Sequence, residues 1–167
     1  MIGIKLIKPI TDWDEYAKAA EWCNNNGAYI VEHEDCYEVE AIPEPTFEEL
    51  KERKLAELSA SFEKRVSGSF TTSQGYTMQF SPDDSLKMQG ALQLMEATGQ
   101  EYGYIVHADD SVNENVPLVE MRAVLVEMLA EYARYHAKKQ RYRSEINSAS
   151  NIEELNSIVF DWSNENA

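Results

Sequence analysis

The chain has 167 residues, 43% of them apolar and 27% charged, enough for one ordinary domain or two small ones sharing a connector. Its net charge of −15 disfavours nucleic-acid binding through general electrostatics, and it is spread unevenly, −7 over residues 1–66, −7 over 67–120 and −1 over 121–167. No run approaches the roughly eighteen apolar residues of a membrane span, and the N-terminus lacks a signal-peptide core, so the cytoplasm where the chain is made is its expected location.

Ile2 to Ile7 reads as a strand that Pro9 ends. Thr11 then offers a helix N-cap, with Asp12, Asp14 and Glu15 in the first turn. Trp13, Tyr16 or Ala17, Ala20 and Cys23 fall on one face of that helix, and Asn24-Asn25-Asn26-Gly27 stops it. Tyr29 to Glu32, a His33-Glu34-Asp35 turn and Cys36 to Ile42 make a hairpin, so residues 1–45 form a small β-α-β-β unit. Cys23 and Cys36 are the only cysteines, too few for a disulfide framework, and are expected to be reduced.

Pro43-Glu44-Pro45 is a stiff joint. Thr46 with Glu49 has capping-box spacing, and Phe47, Leu50, Leu55, Leu58, Phe62 and Val66 recur at helical steps, giving a connector helix over 46–66. Two short strands flank Gln74-Gly75, at Phe70–Ser73 and Tyr76–Phe80. Ser81-Pro82-Asp83-Asp84 starts a helix that buries Met88, Ala91, Leu92 and Met95 and stops at Thr98-Gly99. A second hairpin follows, from Tyr102–His107 and Val112–Pro117.

The longest element is a helix over Leu118–Ile146. Leu118, Met121, Leu125, Met128, Tyr132, Tyr135, Lys139, Tyr142 and Ile146 recur at alternating steps of three and four, with Val124, Leu129 and Ala133 widening the stripe in the first half. Its first half should close a core; its narrower second half, rich in tyrosine, is expected to reach toward a partner. The basic cluster of Arg134, Lys138, Lys139, Arg141 and Arg143 reads mainly as cations pairing with the chain's own acids. Ser150, capping with Glu153, opens a last short helix that packs Ile152, Leu155, Ile158 or Val159, and Trp162. Hairpins mixed with helices, without strand-helix alternation, make the fold class α+β, with a C-terminal α+β domain over 67–167.

Three motifs resemble a known family. They are the runs Thr46-Phe-Glu-Glu-Leu, Lys54-Leu-Ala-Glu-Leu-Ser-Ala-Ser-Phe62 and, most specific, Gly68-Ser-Phe-Thr-Thr-Ser-Gln-Gly75. With Glu96-Ala-Thr-Gly99, the Asp109-Asp110 hairpin and Lys138-Lys139, these cover about residues 46–160 and resemble the uncharacterised domain of small phage and prophage proteins encoded around tail fibres and tail-fibre assembly. The resemblance implies a non-enzymatic tail or tail-fibre accessory protein, a virion component or assembly helper, in the host cytoplasm during assembly or in the virion tail. It carries no catalytic residues and no cofactor. Relatives often place a threonine or serine cap where this chain has Val119, a loss of about 1 kcal/mol.

Candidate chemistry is sparse. Asp109, Ser111, Asn113, Asn115 and Glu120 have the spacing of a calcium loop, but Glu114 stands where that loop needs glycine, so a polar hairpin turn is the better account. His33-Glu34-Asp35-Cys36 offers two metal ligands where three or four are needed. No nucleophile elbow, P-loop, H-E-x-x-H or dinucleotide fingerprint occurs. The expected metal and cofactor complement is none. Alternatives to the accessory protein are a metal-dependent or hydrolytic enzyme and a prophage-encoded binder of a host protein.

The expected partners are a phage tail or tail-fibre protein and further copies of the chain as a small homo-oligomer, without nucleic acid or membrane. The expected interface is Tyr132, Tyr135, Lys139 and Tyr142 on the long helix, with Trp22 on the first unit, where Trp13, Trp22, Tyr29 and Tyr37 otherwise read as core. On that reading Tyr135→Ala and Tyr142→Ala weaken association and leave the monomer folded.

Overall fold

The computed structural model describes residues Met1–Ser163; the last four residues of the domain expected over 67–167 lie outside the described residues. The chain divides into two compact units, Met1–Thr46 and Phe47–Ala167, and its class is α+β.

In the first unit, β1 (Lys5–Ile7) is followed by α1 (Trp13–Asn26), β2 (Ala28–Glu32) and β3 (Cys36–Ala41). The three strands form an antiparallel sheet in the order β1-β3-β2. The cap of α1 is Asp12 rather than Thr11, because its carboxylate accepts from the amides of Asp14 and Glu15, both at 3.0 Å. Gly27 ends the helix in the left-handed region at φ 61°. The buried face of α1 is Ala19 and Cys23, backed by Tyr16 and Trp22, and it packs on Leu6, Ala28 and Val39 of the sheet. Trp13 is not on it: the ring is 68% exposed, at the edge of Tyr16. Both cysteines are free and buried. Burial, then the neighbouring Asp35, pushes the Cys36 thiol up, away from the reactive thiolate.

The second unit begins with α2 (Phe47–Val66), so the helix expected as a connector belongs to this unit's core instead. Next come the hairpin β4 (Ser69–Thr71) and β5 (Thr77–Gln79), α3 (Pro82–Thr98), the hairpin β6 (Tyr102–Val106) and β7 (Val112–Pro117), α4 (Leu118–Ser148) and α5 (Ile152–Ser157). Ser81 caps α3 with proline behind it, and Gly99 ends it at φ 70°. The opening of α4 has Pro117 at the cap position and no side-chain cap, so the position that matters lies two residues before Val119. Asn151, not Ser150, caps α5 by accepting from the Glu154 amide at 2.9 Å; Ser150 instead donates from its amide and hydroxyl to the Glu154 carboxylate.

With about 1.5 Å of rise per residue, α4 is roughly 46 Å long and spans two cores. In the first, Met121, Val124, Met128 and Tyr135 meet Phe62 and Val66 of α2, Met88, Leu92 and Met95 of α3, and Met78, Phe80, Ile105 and Val116 from the hairpins. In the second, Tyr142 and Ile146 meet Leu58 of α2, Ala149 and Leu155, with Phe47, Leu50, Phe160 and Trp162 around them. Each fully buried Leu or Ile here contributes about 1.5–3 kcal/mol. Leu129 and Ala133 are exposed, as is Ala91 on α3, so the buried stripes are narrower than periodicity suggested. Beyond α5 the chain runs without helix through Trp162, whose ring packs on Phe62, Tyr135 and Tyr142 and whose Nε1 donates to Ser61 Oγ.

Candidate functional site

The Tyr135–Tyr142 face of the second half of α4 is covered by its own chain, which corrects the expected interface at those two residues. Tyr135 is 0% exposed and Tyr142 is 5% exposed. The Tyr135 hydroxyl accepts from Arg65 Nη2 at 2.5 Å and Arg134 Nη2 at 3.0 Å, and the Arg65 guanidinium lies over its ring. Glu131 pairs with both arginines. The Tyr142 hydroxyl donates to the Asp161 carbonyl and accepts from the Asp161 amide, each at 3.0 Å. Tyr132 is half-buried, stacked on His136 and edge-on to Phe62, over which Lys139 also places its ammonium at 4.5 Å. Lys138 donates to the Ser163 carbonyl, and Arg141 pairs with Glu145. Arg134, Lys138, Lys139 and Arg141 are thus engaged within the chain, while Arg143 is exposed, and the seam that suggested self-association is filled by α2 and residues 158–162. Trp22 is half-buried against the first unit's core.

The open feature of the second unit lies elsewhere. Met78, Met88, Met95, Met121 and Met128, five of the six methionines, line one groove of about 600 Å³. The helix α3 forms one wall, β6 and the end of β5 the other, and α4 the floor. Its rim is apolar and wet, with Leu94 63%, Tyr102 59%, Tyr104 63% and Val106 45% exposed. Gly103 lets β6 approach the floor: a Cβ there would stand 2.8 Å from the sulfurs of both Met95 and Met121. The five methionines are themselves buried, none more than 9% exposed, and their flexible, polarisable side chains suit a base that yields to apolar groups pressed against it.

Polar struts hold the two hairpins at the groove's end. The Ala108 amide donates to the Thr77 carbonyl at 2.8 Å, and the Thr77 amide donates to His107 Nδ1 at 3.1 Å. His107 Nε2 faces Asn113 Oδ1, so the tautomer that accepts at Nδ1 donates there. Tyr76, pushed up by burial and then by its bond to Glu120, donates its hydroxyl to that carboxylate at 2.9 Å. Ser73 gives its amide and hydroxyl to Glu127, which holds the carboxyl below its usual range, the hydroxyl bond being the larger cause. A lowered folded pKa means that this contribution to stability is present above the ordinary glutamate range and is lost as pH falls through the lowered value. Glu127→Gln should therefore be less stable than the parent at neutral pH, with the difference disappearing in acid, as urea midpoints at the two pH values would show.

The candidate ion sites do not assemble as their sequence spacing suggested. Asp109 accepts from the amide and hydroxyl of Ser111, Asn113 faces His107, and Glu120 takes Tyr76, so the calcium-spaced groups serve separate partners. Cys36 is buried, and His33 instead meets Glu38 and Glu40, the one group of three potential ligands gathered among the described residues, within 4.8 Å. Strand alternation puts Glu38 and Glu40 on one face of β3, a relation the His33–Cys36 motif did not reveal. Glu38 already pairs with Lys5 at 3.1 Å, and the trio sits at the surface, so it reads as an ion-pair cluster.

No helix among the described residues is long and apolar enough to cross a membrane. No curated protein and no solved structure matches the chain. Residues 49–162, which hold the groove, both hairpins and the two cores along α4, match the model of the family described as domain of unknown function DUF4376, and the chain belongs to that family.

Proposed function

We propose that the protein is a tail or tail-fibre accessory protein of a phage or prophage, a virion component or assembly helper, and that it works by docking a tail or fibre protein in the methionine-lined groove. The observation that carries the docking is the exposed apolar rim of Leu94, Tyr102, Tyr104 and Val106, which surrounds a groove whose base is five methionines, none more than 9% exposed. A contiguous apolar surface of this kind is costly to leave in water and marks sites of association. The polar groups at the groove's end, His107 and Asn113, are spent on holding the hairpins together. The assignment to tails rests on the resemblance of the 46–160 motifs.

Mass spectrometry of purified virions, combined with deletion of the coding sequence, tests the proposal. A stoichiometric band identifies a virion part; absence from virions together with loss of fibres on deletion identifies a helper. Absence from virions with normal fibres after deletion overturns the tail assignment.

A further inference from the structure

We infer that the groove takes an extended, basic and apolar segment of a different protein, added as a strand along the free edge of β6. This rests on the groove being the docking site and specifies what docks there.

The backbone of β6 supports the inference. Glu101 accepts from the Leu118 amide at 2.9 Å and His107 donates to the Ser111 carbonyl at 2.8 Å, so odd-numbered residues of this strand direct their backbone groups to the β7 side. Alternation then turns the backbone groups of Tyr102, Tyr104 and Val106 to the opposite edge. Ala108, next in that series, gives its amide to Thr77 on β5, which shows that this edge faces β5. The pairing stops after that single rung: β6 pairs with β7 alone among the described strands, and the groove opens between β5 and β6. A strand entering there continues the ladder along β6, and alternate side chains drop onto Met95 and Met121.

Charge selects the occupant. Residues 67–120, which form both walls, hold eight acids and a single base, Lys87, and Lys87 is already 3.4 Å from Asp84. Of the charged residues in the lining itself, Asp84 and Lys87 pair with each other and Asp110 leaves it net negative. A second copy offering its own β6 would bring the same acids to the same place, and the net charge of −15 opposes that pairing. A strand alternating apolar residues with lysine or arginine satisfies the floor, the edge and the acids of the walls together.

The test is titration of the full chain with labelled ten-residue peptides. One alternates leucine or valine with lysine, a second carries glutamate in place of lysine, and two more are the lysine peptide N-methylated on one or the other alternate set of backbone amides. The lysine peptide is expected to bind, about tenfold or more weakly once salt is raised from low to high, and to shift the methyl signals of Met95 and Met121 but not Met1. The glutamate peptide should not bind, and only one methylated set should abolish binding, because a strand uses one edge. Equal binding of the glutamate peptide, equal effects of the two methylated sets, no binding of the lysine peptide, or self-association that the peptide cannot reverse would each overturn the inference. Failure of the peptides with a positive virion result removes the added strand alone; peptide binding with a negative virion result removes the tail assignment alone.

Discussion

Tyr135→Ala is expected to destabilise the second unit by about 4 kcal/mol, within the range for deleting a buried aromatic ring. The ring is fully buried between Phe80 and Trp162, and its loss leaves a cavity where α2, α4 and the C-terminal segment meet. Tyr135→Phe keeps the ring and removes the hydroxyl that accepts from Arg65 and Arg134, at a cost of about 1–3 kcal/mol. Tyr142→Ala should act in the same direction by releasing Asp161 and the rings of Phe160 and Trp162. Chemical denaturation followed by near-ultraviolet dichroism measures all three. An interface role would instead leave each variant as stable as the parent with only association impaired, the outcome the sequence spacing suggested.

The second large effect is at Trp162. Its indole touches Phe62 and Tyr135 of one core and Tyr142 of the other, and Nε1 donates to Ser61, so a single residue ties the end of the described chain to both halves of α4. Trp162→Ala should cost about 3 kcal/mol. Trp13→Ala is the matched control: its ring is 68% exposed, and the change should stay within about 0.5 kcal/mol. Equal effects at the two tryptophans would mean that the C-terminal segment is not packed as described.

The parts of the fold legible in the sequence were those set by local chemistry. Ser81-Pro82 could only start a helix well, Gly27 and Gly99 accept the left-handed backbone that ends one, and both hairpins follow from their turn residues. Periodicity likewise located the stripe of α4. It could not say what covers the stripe, because the same spacing serves a helix buried by its own chain and one buried by a partner. Here Leu58, Phe62 and Val66 of α2 cover it together with residues 158–162. Cap choices between adjacent polar residues, Thr11 or Asp12 and Ser150 or Asn151, depended on backbone angles that sequence does not reveal.

The groove was illegible for a different reason. Its methionines are scattered over three elements from Met78 to Met128, and each alone reads as ordinary core. The signal available was Gly103 inside a strand otherwise rich in tyrosine and valine, which marks a close approach of backbone to something. The rim residues Tyr102, Tyr104 and Val106 are also exposed on a strand paired along one edge, and an unpaired edge is one that proteins normally shield.

The most direct test of docking through this groove is photo-crosslinking in infected cells, with benzoylphenylalanine placed at Leu94 or Tyr104 on the rim and at Val126 on α4, which is 64% exposed and outside the groove lining. A tail or fibre protein captured from Leu94 and Tyr104 but not from Val126 is the predicted result. Capture of that protein from Val126 alone, or from none of the three positions, would contradict it.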